Sequence, residues 1–336
     1  MYFDLFKKIW FLFLLLFLIN CSVKEKSEVK ISFEPVLSIG VEEGDENYML
    51  GGVADVEEDK EGNIYVLDFK FRTIRKYDRY GKFIKNIGRK GQGPGEISQF
   101  PVDMAIGNGK IYLLLINTII IYDKKGNYLN SFKLKIFPKF ILVDSKERII
   151  LVETDRKTNR LFHVYNSEGK YLASFGKSFP APSLEFKKIL DKWLPSSVFL
   201  SADERLFVAH PFQYEIQIYK DMHLEKIIKR KSKNYENPHL IRVKGRGGYK
   251  VGGIQEIFEA RKYLIVLLSG EKKGKFVEVF DKKNLAYKGS LKLDITGYPD
   301  PTRNSTIYFW NEFRLMKYKI IIRKLKESKK SFNRNN

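Results

Sequence analysis

The sequence predicts an all-β protein: a six-bladed β-propeller of four-stranded antiparallel blades, its ring closed by an N-terminal strand. Three observations carry this expectation. A phrase of strand and turn residues returns six times along the chain. Glycine falls at the same place in the hairpins of several copies. A motif that ends blades stands alone before the first copy, while the last copy stops one strand short.

The first copy, residues 53–88, reads VADVEEDKEGNIYVLDFKFRTIRKYDRYGKFIKNIG, and the second, residues 101–134, reads PVDMAIGNGKIYLLLINTIIIYDKKGNYLNSFKL. Each runs through Gly-Asn-Ile-Tyr or Gly-Lys-Ile-Tyr, a second apolar strand ending Tyr-Asp, a basic turn with Gly, and a last strand. The phrase drifts but persists in residues 138–176, 197–231 and 253–293, with a shorter copy around Ile307-Tyr308-Phe309 and Lys317-Tyr318. Anchored on Tyr65, Tyr112, Ile150, Phe207, Ile265 and Tyr308, the steps are 47, 38, 57, 58 and 43 residues, which places variable loops between regular units. A four-stranded unit cannot cover both of its faces, so neighbouring units stack around an axis. Arg79-Tyr80-Gly81, Lys125-Gly126-Asn127 and Glu168-Gly169 supply glycine where a tight hairpin needs positive φ.

Closure is read from Val36-Leu37-Ser38-Ile39-Gly40, which matches the blade endings Lys85-Asn86-Ile87-Gly88 and Ala173-Ser174-Phe175-Gly176. The final copy runs out after Ile320-Ile321-Ile322, so residues 31–40 are expected to complete it and remove an open sheet edge. The propeller then spans residues 31–322. Between its third and fourth copies, Leu184 to Leu194 (LEFKKILDKWL) has the spacing of a short amphipathic helix.

Before the propeller, Lys7 and Lys8 precede an apolar run of eleven residues, Ile9 to Ile19. A membrane-spanning helix needs about 20 apolar residues, so this run fits the core of a signal peptide over residues 1–20. The run ends Leu18-Ile19-Asn20-Cys21, which resembles the lipobox of bacterial lipoproteins and implies lipidation of Cys21. Asn20 stands where that pattern prefers Gly, Ala or Ser, and Asp4 departs from its basic start. Residues 21–30, polar and unpatterned, read as a flexible tether. Ser22 after the cysteine resembles the outer-membrane sorting pattern, so the expected location is the cell envelope, lipid-anchored, with the outer membrane favoured over the inner. Cys21 is the single cysteine, so no disulfide forms within the chain.

The Gly62-Asn63-Ile64-Tyr65-Val66-Leu67-Asp68 and Lys76-Tyr77-Asp78 phrases, with GRKGQGPGE at residues 88–96, resemble the NHL-type propeller repeat. More closely they resemble the six-bladed β-propeller lipoproteins of Bacteroidetes and related bacteria. The resemblance covers residues 31–322. It implies a fold and an envelope location more than an activity.

Chemistry is sparsely marked. Gly91-Gln92-Gly93-Pro94-Gly95-Glu96 lacks the Gly-Lys-Ser/Thr ending of a phosphate loop and leads into a strand, so it reads as a turn between blades that can also meet a ligand through Gln92 and Glu96. No Gly-x-Ser-x-Gly elbow occurs. His163, His210, His223 and His239 fall outside the expected innermost strands, near Val53–Glu58, Val102–Ile106, Phe140–Val143, Val198–Ser201 and Ile254–Phe258, so no zinc site is expected and no cofactor is assigned. Asp55, Glu57 and Asp103 lie in those strands and are the candidate channel carboxylates, whether as solvated turn caps, calcium ligands or ligand contacts.

Lys plus Arg is 61 against 40 Asp plus Glu, a net charge of +21, concentrated in Lys226 to Lys250 and in a basic tail over residues 323–336. A charge of this size speaks of solubility and polyanionic neighbours rather than of fold. The expected partners are the membrane through Cys21, and an envelope polysaccharide, anionic lipid or protein. Nucleic acid is not expected for an exported chain. The function expected is a ligand- or protein-binding scaffold, the alternative an extracytoplasmic lyase or glycan-active enzyme working through channel carboxylates. Convergence of acidic or histidine side chains at one mouth would favour the enzyme.

Overall fold

In a computed structural model of the chain, the described residues are 27–153, 157–187, 192–243, 247–301, 306–311 and 313–325. Residues 1–26, with the signal segment and Cys21, lie outside them, as do the last eleven residues of the tail. Six antiparallel four-stranded sheets follow one another along the chain. From the innermost strand outward, blade 1 is Val53–Glu58, Ile64–Asp68, Thr73–Tyr77 and Phe83–Ile87. Blades 2 to 5 begin at Pro101–Gly107, Phe140–Val143, Val198–Leu200 and Gly253–Ala260. Blade 6 joins the two ends of the chain: Tyr298–Pro301, Thr306–Asn311 and Arg314–Lys324, with Val29–Ile39 as its outer strand.

The second strand of each blade is the most deeply buried, because blades pack on both its faces. Ile64–Asp68 and Ile149–Val152 are buried at every position. The repeated Tyr of the phrase fills these interfaces: Tyr65, Tyr112 and Tyr308 are fully buried. Outer strands alternate and leave one side to solvent, as in Tyr128–Lys133.

The rest of the phrase is turn chemistry. Asp78 accepts the backbone N–H groups of Tyr80 and Lys82 (both 2.9 Å), and Gly81 takes φ 82°. Asp59 accepts from Glu61 and Asn63 with Gly62 at φ 84°; Asp123 accepts from Asn127 with Gly126 at φ 86°; Asn166 accepts from Lys170 with Gly169 at φ 84°. An Asp or Asn side chain capping the amides two and four residues on, then a left-handed glycine, reverses the chain in minimum length. Tyr-Asp-x-x-Gly is therefore the end of one strand and the turn into the next.

These short turns all lie on one face of the ring, here the turn face, because strands one and two, and three and four, meet there. The connections between strands two and three, and between blades, lie on the opposite face, the mouth face. The long connections are all of this kind: residues 40–52, 88–100, 178–197 and 230–252.

Two boundaries differ from those read in the sequence. The first strand starts at Val29, inside the segment read as tether, and the last ends at Lys324, inside the segment read as tail. Val29, Ile31 and Ile320 continue the inward alternation and are buried against blade 5, which extends the strands. The helix expected over Leu184–Leu194 is a correction. The described part is a single turn, Leu184–Lys187, and Lys192–Trp193 pairs as a strand with Phe179–Pro180. Phe186, Trp193 and Phe212 pack edge to face within 4.8–5.7 Å, so of the apolar residues with helical spacing Trp193 joins a small aromatic core, while Leu184 is exposed.

Blade 6 is fastened to blade 1 by one buried carboxylate. Glu58 Oε1 accepts from the Tyr308 hydroxyl (2.6 Å), Lys317 Nζ (2.7 Å) and the Thr306 hydroxyl (3.1 Å). Removing one partner of a buried ion pair strands the other charge. Glu58→Ala is expected to destabilise the fold by about 3–5 kcal/mol in denaturant unfolding, and Glu58→Gln, which keeps an acceptor, by less. Equal stability of Glu58→Ala and the parent would show that this seam does not hold the ring.

Candidate binding cavity in the channel

The innermost strand of each blade is a sheet edge: no further strand pairs with it, so its outward amides need other acceptors. Side chains of the preceding blade supply them. Asp55 Oδ2 accepts the N–H of Met104 (2.9 Å), and Asp103 Oδ2 accepts the N–H of Ile141 (2.8 Å). The Ser197 hydroxyl accepts the N–H of Ile257 (3.1 Å) and donates to Glu256 Oε2 (2.8 Å).

These residues occupy one structural position. Val56, Met104, Ile141, Val198 and Ile257 pair with Val66, Leu113, Leu151, Val208 and Val266 of their second strands. The residue before each is Asp55, Asp103, Phe140, Ser197 or Glu256. In blades 1, 2 and 5 the ladder slips just before that residue, between Val53 and Asp55, Pro101 and Asp103, and Ile254 and Glu256. Such a bulge adds a residue to one strand and re-aims a side chain. Here the three re-aimed side chains are all carboxylic acids.

They line a cavity of about 210 Å³ together with Glu57 and Asp300. Its other wall is apolar, made by Phe140, Leu142, Val198 and Leu200, and Trp310 stands at its rim. Tyr298 leans over Trp310 with ring centroids 5.0 Å apart and is largely exposed. The innermost strands start at the mouth face, and Asp55, Asp103 and Glu256 stand in the half of their strands nearest the long loops. Exposed large apolar side chains gather on the same face: Phe69, Phe71, Phe100, Phe137 and Phe313 all sit on its connections. On the connections of the turn face Tyr80 is the large exposed apolar side chain among the described residues, with Tyr128, Tyr171 and Leu224 exposed where outer strands leave its turns. Gly51 and Gly52 lie directly beneath Phe71 and Phe69, where a Cβ would collide with the rings.

Burial sets the protonation of the acids. Desolvation raises Asp55 to about 6, against hydrogen bonds from Met104, Asp103, Val56 and Asp300 that favour its charged form. Asp103 and Asp300 are held well above the ordinary carboxyl range, first by desolvation and then by the charge of Asp55. Glu256 rises to about 8 by desolvation, opposed by Ser197 and Lys139. Near neutral pH Asp55 is therefore a carboxylate that accepts from the protonated acids Asp103 and Asp300. Such a group offers both donors and acceptors.

Of the residues singled out in the sequence, Asp55, Glu57 and Asp103 meet in this cavity. Gln92 and Glu96 do not line it. Glu96 binds its own loop, accepting from Gly93 N–H (2.9 Å) and from Arg89 Nε (2.7 Å). Cys21 lies outside the described residues. None of the four histidines lines the cavity, and among the described residues no three His, Cys, Asp or Glu are grouped to hold a metal ion. Glu256 and Asp300 were not singled out. Glu256 had a signal: it precedes its anchor Ile265 by nine residues, as Asp103 precedes Tyr112. Asp300 had none, because its strand reads Tyr-Pro-Asp-Pro.

A family model described as a domain of unknown function, DUF4934, matches residues 18–334. The chain belongs to the DUF4934 family. No curated protein matches it. Among solved structures, this DUF4934 chain is similar to a protein from Bacteroides fragilis described as exported, with 13% identity and a TM-score of 0.63 over 90% of this chain and 98% of that one. It is similar to a DUF4221 family member from Bacteroides vulgatus, with 11% identity and a TM-score of 0.62 over 90% and 100%. It also resembles a virginiamycin B lyase from Staphylococcus aureus, with 15% identity and a TM-score of 0.53 over 88% and 100%. At these identities the likeness is one of fold. Among the described residues no helix is long and apolar enough to cross a membrane.

The raised acids make stability fall as pH rises. Each binds its proton more tightly folded than unfolded, so its contribution is full below its ordinary value and is lost as pH climbs through the raised one. For Glu256 that window runs from 4.5 to about 8, and for Asp55 from 3.8 to about 6. Melting temperatures measured across this range should decline for the parent chain, and Glu256→Gln should flatten the part above pH 6. An unchanged slope in Glu256→Gln would mean that Glu256 ionises normally.

Proposed function

We propose that this DUF4934 chain is a lipid-anchored envelope protein that binds a ligand at its mouth face, with one uncharged, hydroxyl-bearing group of that ligand inserted in the acid-lined cavity. The observation that carries the reading is the pairing of that cavity with an aromatic rim on the face that holds every long loop. A cavity of about 210 Å³ is smaller than the usual pocket for a whole drug-sized ligand, so it suits a single group of something larger. Protonated Asp103 and Asp300 donate and Asp55 accepts, which suits hydroxyl groups. Tyr298, Trp310 and Phe137 supply flat apolar surfaces for the rest. A neutral envelope glycan has this chemistry. A polyanion does not, because the charge that Asp55 places in the cavity is negative.

Envelope location is supported by the apolar run ending at Cys21 and by the exported description of a structural neighbour. The second reading, an enzyme, draws on the converging carboxyls: an acid near pKa 6 beside acids that keep their protons is an arrangement suited to proton transfer. The backbone amides already bound by Asp55 and Asp103 weigh toward a structural and binding role for that pair.

A glycan array followed by calorimetry on the best binder tests the reading. Trp310→Ala and Asp103→Asn are each expected to weaken binding by about 30-fold, the size of a central contact. Conversion of the glycan, lost in Asp103→Asn, would establish the enzyme instead. Binding untouched by either change would place the ligand elsewhere. Cys21→Ala is expected to abolish lipid labelling and release the chain from membranes in a Gram-negative host.

A further inference from the structure

We propose that the edge of the turn face at blades 5 and 6 rests on an anionic lipid surface, so that the mouth faces away from the membrane. This rests on the reading of Cys21 as the anchor. Both ends of the described chain leave the ring at one place, because Val29 pairs with Lys324. That end of blade 6 is the turn face: within the blade, Pro301 pairs with Ile307 and Thr306 with Lys319, and the ribbon of Val29–Glu34 with Lys319–Lys324 continues beyond them. Seven residues, 22–28, separate Cys21 from Val29. Fully extended, that chain reaches about 28 Å. As a flexible coil it spans about 16 Å. The edge is thus held within about two Debye lengths of the surface that carries the anchor.

What stands at that edge is basic. Lys30, Arg323 and Lys324 are exposed on the ribbon, and Lys262 and Lys283 on two turns of blade 5. They form one neighbourhood: the Glu28 N–H donates to the Lys288 carbonyl (2.7 Å), and the Lys282 N–H to the Lys262 carbonyl (2.8 Å). The nearby acids are already matched. Lys288 Nζ lies 2.8 Å from Glu28, Lys282 Nζ lies 2.6 Å from Glu259 and 3.3 Å from Asp203, and Asp281 accepts the N–H groups of Lys283 and Asn284. The five exposed cations are therefore surplus charge. The sequence adds Lys24 and Lys26 before the ribbon, and Lys326, Lys329, Lys330 and Arg334 after it, against Glu25 and Glu327. Basic residues beside an anionic leaflet draw a tethered chain onto it. The mouth face carries the aromatic rim and the cavity instead, and has no chain end.

The test uses the full lipidated chain on vesicles containing phosphatidylglycerol or phosphatidylcholine alone. Cys21 is the sole cysteine and is acylated in the anchored form, so an introduced thiol takes a dye selectively. Tyr80→Cys reports the turn face and Phe137→Cys the mouth face; both parent side chains are exposed. On phosphatidylglycerol vesicles carrying a headgroup quencher, the dye at position 80 should be quenched and that at 137 should not. High salt, phosphatidylcholine vesicles, or combined Lys30→Glu, Lys262→Glu, Lys283→Glu and Lys324→Glu should remove the difference. Each reversal should weaken the surface contact by at least about fivefold, the value of the lost cation alone. Equal quenching at both positions, or stronger quenching at 137, on a chain that stays with the vesicles in high salt, would overturn the orientation and leave the anchor intact. A chain that leaves the vesicles in high salt would overturn the anchor itself, and the orientation with it.

Discussion

A closed ring of blades leaves one edge that no strand can cover. The innermost strands converge on the axis, and their amides face a channel too narrow for another strand. This chain answers with side-chain acceptors carried from blade to blade: Asp55 to Met104, Asp103 to Ile141 and Ser197 to Ile257. The bulge that turns Asp55, Asp103 and Glu256 inward is what lets an acceptor reach across. Placing acids there carries them out of water, so most keep their protons. The acids at Asp55 and Asp103 are thus a consequence of how the ring is held together, and they line the cavity.

The fold was legible because its turns are written in the same few residues each time. Asp or Asn followed by a left-handed glycine fixes both hairpin length and register, and it recurs at Asp59, Asp78, Asp123 and Asn166. Buried tyrosine or an aliphatic residue at a constant distance from those turns marks the second strand. The cavity was half legible. Asp55, Glu57 and Asp103 stand in the strands that open the two clearest copies of the repeat, whereas Asp300 stands between two prolines that hide its strand, and Glu256 shows itself only by its distance from Ile265. The segment Leu184–Leu194 misled because aromatic packing overrides its periodicity: Trp193 is drawn to Phe186 and Phe212, and Leu184, the first residue of the periodic set, is left exposed.

Charge is distributed against the bulk composition. The chain carries +21, yet its channel is lined by acids, and the cations stand on outer turns, loops and chain ends. Acids gather at the axis because the innermost amides need acceptors there, while Lys30, Lys262, Lys283, Arg323 and Lys324 stand exposed on turns and on the terminal ribbon.

The ends of the described chain and the mouth lie on opposite faces because of strand parity. Four strands per blade return the chain to the same face at each blade boundary. Giving the first strand to the last blade moves the chain ends from the mouth face to the turn face, where a three-strand count ends. Had the last blade been completed from within, the chain would both enter and leave the ring among the long loops. Closure by an N-terminal strand completes the outer edge of blade 6 with Val29–Ile39 and so brings both ends of the described chain to the face opposite the aromatic rim.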